Sequence, residues 1–120
     1  MNIEGTRSTP SIHIGPGKIE IKGRSIPEDS FGFYSPVIAS IQDYFKKNNE
    51  KTEIHFHLEY INSGSKKFIT NILSFCNDAY NNGKVITILW HYDFDDESMQ
   101  ELGIDLSALL QIPFTLHEVK

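Results

Sequence analysis

Cysteine is nearly absent: Cys76 is the only one among 120 residues. A single thiol excludes an internal disulfide framework and any zinc site built from several thiolates, and it points to reducing, intracellular surroundings. Basic residues are also in short supply. Eleven Lys and Arg against 16 Asp and Glu give a formal net charge of −5, and the only adjacent basic pairs are Lys46-Lys47 and Lys66-Lys67. A surface that neutralises phosphates needs clustered Lys and Arg, so nucleic acid is excluded as the main partner. Long apolar runs are missing as well. The runs are short, such as Val85-Ile86 and Ile88-Leu89-Trp90, far below the roughly 18 residues of a spanning helix. The first ten residues lack the apolar core of a signal peptide. A cytoplasmic protein without direct membrane insertion is expected.

What the chain does have is 39% hydrophobic and 22% charged residues, the composition of a soluble globular protein. Its length corresponds to one domain spanning 1–120, with no space for separate catalytic and cofactor domains. Ile12 and Ile14, then Ile19 and Ile21, alternate with polar residues around Gly15-Pro16-Gly17, the pattern of a β-hairpin. Gly23 to Pro27 reads as irregular. Ser35-Pro36 then opens a helical pattern with Val37, Ile38, Ile41, Tyr44 and Phe45 at steps of three and four, Ser35 serving as N-cap and Pro36 as first helical residue.

Thr52 to Ile61 alternates, with Ile54, Phe56, Leu58 and Tyr60 on one face and His55, His57 and Glu59 on the other. After Asn62-Ser63-Gly64-Ser65 a long helix carries the stripe Phe68, Ile69, Ile72, Leu73, Cys76, Ala79 and Tyr80, and Asn81-Asn82-Gly83 stops it. Lys84 to Tyr92 is a further strand, Asp95 to Leu110 is partly helical, and Phe114 to Val119 closes with a short strand. The order β-β-α-β-α-β-α-β describes an α/β domain: an N-terminal hairpin, then helices and strands in alternation, forming a mixed sheet with helices mainly on one face.

Ligands of such sheets meet the loops at the carboxyl ends of the strands. In Asn62-Ser63-Gly64-Ser65-Lys66 a strand turns into a helix and places two hydroxyls in its first turn. Helix capping accounts for a serine there. An exposed hydroxyl at a helix N-terminus is equally suited to carry a phosphate. The second loop, Asp93-Phe94-Asp95-Asp96-Glu97, holds four carboxylates in five residues, without the spacing of a calcium-binding loop. Acidic residues entering a helix are expected from its dipole.

All five histidines, His13, His55, His57, His91 and His117, fall in the polar phase of their strands, on what would be one open face. They are half-exposed strand residues, a small-ligand or metal site, or a pH-sensitive surface. Cys76 lies in the apolar stripe as a small hydrophobe. Gly15-Pro16-Gly17-Lys18 lacks the Gly-Lys-Ser/Thr of a phosphate-binding loop, and no serine sits in a nucleophile elbow. No catalytic set and no cofactor motif emerges.

Several segments taken together resemble a known family. Ser8-Thr9-Pro10, Gly23-Arg24-Ser25-Ile26-Pro27-Glu28-Asp29, Leu58-Glu59-Tyr60-Ile61-Asn62-Ser63-Gly64-Ser65-Lys66 and Trp90-His91-Tyr92-Asp93 are similar to segments of the SiaC-type bacterial regulatory phosphoproteins. The resemblance implies a fold similar to the anti-sigma factor antagonist (STAS) domain and a non-enzymatic partner switch in biofilm or aggregation signalling. It implies a hydroxyl, immediately after the Asn of the Leu-x-Tyr-x-Asn motif, that a dedicated Ser/Thr protein kinase phosphorylates and a PP2C-type phosphatase restores. The unphosphorylated form is then expected to bind and activate a diguanylate cyclase. Matched residue by residue the acceptor is Ser63; the family commonly shows Asn-Thr-Ser-Ser where this chain has Asn-Ser-Gly-Ser, which makes Ser65 a rival. Arg24, Asn62, Gly64, Lys66, Asp93 and Asp95 are the expected contacts to the phosphate or the partner. An antagonist of a sigma-factor regulator would use the same chemistry.

Overall fold

A computed structural model describes residues 1–48 and 50–120. Its elements run β1 (Asn2–Ile3), β2 (Ser11–Gly15), β3 (Lys18–Ser25), α1 (Ser30–Lys47), β4 (Thr52–Ile61), α2 (Ser63–Asn81), β5 (Ile86–Asp93), α3 (Glu97–Ser107) and β6 (Phe114–Val119). The six strands form one sheet in sequence order. The first three are antiparallel neighbours, and β3, β4, β5 and β6 are parallel. Each parallel step crosses to the next strand through a helix. Right-handed crossovers that all move in one direction place all three helices on the same face of the sheet. The expected mixed α/β domain with helices on one face is therefore observed.

The strand alternation sorts side chains accordingly. Ile12, Ile19, Ile21, Ile54, Phe56, Ile88 and Trp90 are buried under the helices together with Val37, Ile41, Ile69, Ile72 and Leu73. Each such side chain removed from water contributes roughly 1.5–3 kcal/mol. Cys76 is fully buried, and burial pushes its thiol up to about 12, so it is an inert core residue as expected. Asn82 caps α2 and Gly83, at φ 103°, lets the chain leave it in a conformation that suits glycine.

Four details depart from the sequence expectation. The short strand β1 adds to the sheet edge beside the hairpin, a two-residue element below the reach of any periodicity. The stretch from Gly23 to Ser25 is the end of β3 rather than irregular chain. Helix α1 begins at Ser30, not at Ser35-Pro36, because Asp29 caps it by accepting the Gly32 N–H (3.0 Å). Pro36 lies inside the helix. The hydrogen bond it cannot make is to Gly32 one turn back, and both residues are exposed to water there, which keeps the loss small.

The fourth departure is Tyr60, which is 56% exposed instead of extending the buried face of β4. Gly23 pairs with Leu58 but Arg24 pairs with Tyr60, so Glu59 is an extra residue in β4. This bulge shifts the alternation by one, turning Tyr60 away from the core. Gly23, at φ 117°, allows β3 to follow the bend.

Helix α3 closes against β5 at Gly103, where a Cβ would lie 2.5 Å from Trp90 Cδ1 and 2.7 Å from its Nε1. The Trp90 indole is fully buried and donates to the Met99 carbonyl (3.0 Å), so it has no room to yield. Gly103→Ala is expected to destabilise the domain by about 1–3 kcal/mol through overpacking, read as a lower urea midpoint with an unchanged m-value.

Candidate functional site

The loops after β3, β4 and β5 all leave the same edge of the sheet, and the motif residues meet there. Asn62 holds them together. Its side-chain oxygen caps α2 by accepting the Ser65 N–H (2.9 Å), while its Nδ2 donates to the Pro27 carbonyl (3.1 Å) in the loop after β3. Its backbone N–H donates to the Ser25 carbonyl (3.0 Å), and the Ile26 N–H donates to the Ser8 carbonyl (2.9 Å). Ser25 is buried, with its hydroxyl hydrogen-bonded to that of Tyr34. Three separate segments are thus tied into one platform.

Ser63 is the first residue of α2 and is exposed; Ser65, half a turn later, is fully buried. The Ser65 hydroxyl has no hydrogen-bond partner among the described residues, although it approaches the Tyr34 hydroxyl. Burial raises the pKa of Tyr34, with the Ser25 and Ser65 hydroxyls offsetting this in part, so the phenol stays protonated and neutral. Ser63 is accessible from solvent in the folded domain, whereas reaching the Ser65 hydroxyl requires unpacking the start of α2.

The electrostatics of this end are uneven. The first turn of α2 contains no acidic residue, and Lys66 and Lys67 stand exposed three and four positions beyond Ser63. The positive end of the helix dipole is therefore left unneutralised at Ser63. Gly64 faces the start of α1: a Cβ there would lie 2.6 Å from the Ser30 hydroxyl, so the two helix N-termini converge. By contrast, the start of α3 is acidic. Asp96 accepts the Met99 N–H (3.0 Å) and Glu97 occupies the first turn. Asp96, together with Asp93, Asp95 and Glu59, lines an open cleft of about 530 Å³ between the ends of β4 and β5.

Arg24 pairs with Glu59 (3.7 Å) and lies over the Tyr60 ring (5.2 Å). Its contacts are with the bulge of β4. Exposed apolar side chains gather at the same edge: Ile26, Phe31 at 70% and Phe94 at 65%, besides Tyr60. Periodicity could not have found this patch, because all four lie in loops, at a helix start or beyond a bulge.

The histidines occupy the opposite, open face, as their phase suggested. Asn2 and His13 share a hydrogen bond (2.6 Å). His55 contacts Glu53 (3.1 Å) and His91 (3.0 Å), His91 contacts His117 (3.0 Å), and His57 contacts Asp93 (3.1 Å). Among the described residues no group of three or more His, Cys, Asp or Glu is arranged to hold a metal ion, and none of the helices is long and apolar enough to cross a membrane.

A family model described as SiaC family regulatory phosphoprotein matches residues 3–119. The chain belongs to that family. An uncharacterised protein of Pseudomonas aeruginosa (strain UCBPP-PA14) is 29% identical over 118 residues, covering 97% of this chain and 94% of that one. A chain in the crystal structure of the diguanylate cyclase SiaD in complex with its activator SiaC, from Pseudomonas aeruginosa, superposes with a TM-score of 0.92 at 29% identity, with 99% of each chain covered. The crystal structure of apo-SiaC from the same organism gives a TM-score of 0.89 at 27% identity, covering 98% of this chain and 97% of that one. The SiaC-family fold thus holds over the whole domain.

Two measurements follow from this geometry. Ser65→Ala removes a buried hydroxyl without ordinary hydrogen-bonding geometry, so stability should change by less than about 1 kcal/mol in urea denaturation. His91 has its pKa lowered, first by desolvation and then by the neighbouring His55, His117 and His57, with Glu20 opposing. The unfolded chain protonates His91 from about pH 6.5 downward, while the folded chain resists until lower pH. In that window the unfolded state binds more protons, so stability falls as pH falls; above it His91 adds no pH dependence. The loss of urea midpoint between pH 7.5 and 5.5 should be smaller in His91→Phe than in the unsubstituted protein.

Proposed function

We propose that this SiaC-family chain is a non-enzymatic partner switch of the cytoplasm. Its unphosphorylated form binds and activates a diguanylate cyclase, a Ser/Thr protein kinase phosphorylates Ser63 to release it, and a PP2C-type phosphatase resets it. The observation that carries this reading is the setting of Ser63: an exposed hydroxyl at the start of a helix whose first turn lacks carboxylates, on the edge where Ile26, Phe31, Tyr60 and Phe94 are exposed. SiaC of Pseudomonas aeruginosa, described as the activator of SiaD in their complex, supports the choice of partner.

Magnitudes favour release. A phosphate adds roughly −1.5 to −2 charge. The helix terminus offsets about 0.3–2 kcal/mol. Like-charge juxtaposition and desolvation at an interface cost several kcal/mol, and the edge already carries Glu59, Asp93, Asp95 and Asp96. Each 1.4 kcal/mol is tenfold in affinity, so the unfavourable terms win by about one to two orders of magnitude. No refolding is required.

Binding of purified cyclase to unphosphorylated protein, measured by titration calorimetry, tests the switch. Ser63→Ala should bind like the unmodified chain and accept no phosphate from the kinase. Ser63→Asp should bind at least about tenfold more weakly, and Ser65→Ala should still be phosphorylated. Equal binding by the Asp and Ala variants would remove Ser63 from the mechanism.

A further inference from the structure

The open face of the sheet contains a feature that the partner switch does not use. Glu53, His55, His91 and His117 form one continuous hydrogen-bonded row across β4, β5 and β6. The atoms dictate its direction. An ionised carboxylate only accepts, so His55 donates through Nε2–H to Glu53 and must accept at Nδ1 when neutral. His91 then donates Nε2–H to His55 and accepts at Nδ1, leaving His117 to donate through Nδ1–H. His117 is an exposed residue, and its outer nitrogen, Nε2, takes no part in the row.

We propose that this row is a proton-binding site with a capacity of one: it accepts a single proton at the sheet edge with every hydrogen bond intact, and a second proton breaks it. Each link between two rings holds one hydrogen, and the bond to Glu53 holds one. Only His117 Nε2 is free to be empty or filled. The first proton enters there. It then passes inward as His117 Nδ1–H breaks while His91 Nδ1–H forms, and His91 Nε2–H breaks while His55 Nδ1–H forms. The charge comes to rest as an imidazolium beside the Glu53 carboxylate. A second proton would set N–H against N–H at one link, so a ring must turn away, and the edge residue His117 is the one free to do so.

The charges around the centre of the row favour this limit. His91 is faced by His55 and His57 as well as Glu53 from β4, by Glu20 and Lys22 from β3, by His117 from β6 and by Asp93 on its own strand. The helices lie on the other face. Glu53 and Glu20 accommodate one positive charge, while Lys22 and the adjoining imidazoles oppose a second. The row therefore changes from a ladder of neutral imidazoles beside the Glu53 carboxylate to a singly protonated ladder and then to an opened one as pH falls, independently of Ser63.

Long-range ¹H–¹⁵N correlation spectra of the full chain between pH 8 and 5 test this. At pH 8, His117 should be the Nδ1–H tautomer, with His55 and His91 both Nε2–H. One proton should move all three sets of ring shifts with a common midpoint, and the second should bind at least about tenfold more weakly. His91→Phe should separate His55 from His117 into independent titrations. His117→Ala, at an exposed edge position, should displace the His91 midpoint without disturbing the fold. A neutral His117 in the Nε2–H form, or His91 titrating unchanged in His117→Ala, would overturn the proposal.

Discussion

The Asn62 amide is the constraint on which the edge carrying Ser63 depends. Its oxygen and nitrogen serve different parts of the chain, one closing the first turn of α2 and the other fastening the loop after β3 through the Pro27 carbonyl. Aspartate would keep the cap but lose the donor, and lysine would do the reverse, so only an amide satisfies both. Because the backbone of Asn62 also bonds to Ser25, and Ser25 to the buried Tyr34, the position of Ser63 is set by the core rather than by a free loop. A hydroxyl held this way starts from a fixed backbone position rather than from a mobile tail.

The same arrangement explains which parts of the molecule were legible in the residues. β4 and the stripe of α2 are where alternation and a three-to-four spacing had strong apolar signals, and their positions agree with the structure. The start of α1 was misplaced because Ser-Pro is a good opening and Asp29 offers a competing cap seven residues before Pro36; the aromatic residues Phe33 and Tyr34, which pack on the core, decide in favour of the earlier one. Tyr60 departs from the alternation because a bulge leaves no mark in a hydrophobic pattern. That bulge belongs to the site, since it is what exposes Tyr60 and brings Arg24 over it.

Of this edge, the sequence motifs single out Arg24, Asn62, Ser63, Gly64 and Lys66 but do not say what each touches. The choice between two serines two residues apart is a matter of helical phase: Ser65 turns under the helix and Ser63 turns outward. The histidines show the reverse case. Their common face follows from strand parity alone, whereas the row they form depends on sequential strand order, which no local pattern contains.

Charge, rather than movement, is the currency of both devices. Among the described residues the glycines with positive φ are Gly17 in the hairpin, Gly23 at the bulge and Gly83 beyond α2, and none lies beside Ser63. Gly64 is helical and packed against Ser30, so it provides close approach and not a hinge. Ser63 therefore sits at a fixed helix end, and the proposed switch at this residue needs no change of backbone. On a domain with a net charge of −5, either proposed event, a phosphate there or a proton on the open face, changes a local surface by a large fraction of the total. The two sites approach each other at Asp93, which rims the acidic cleft and also bonds His57 on the open face. The cleft's negative charge is thereby partly directed toward the imidazoles, so the two surfaces share one carboxylate while their hydrogen-bonded frameworks remain separate.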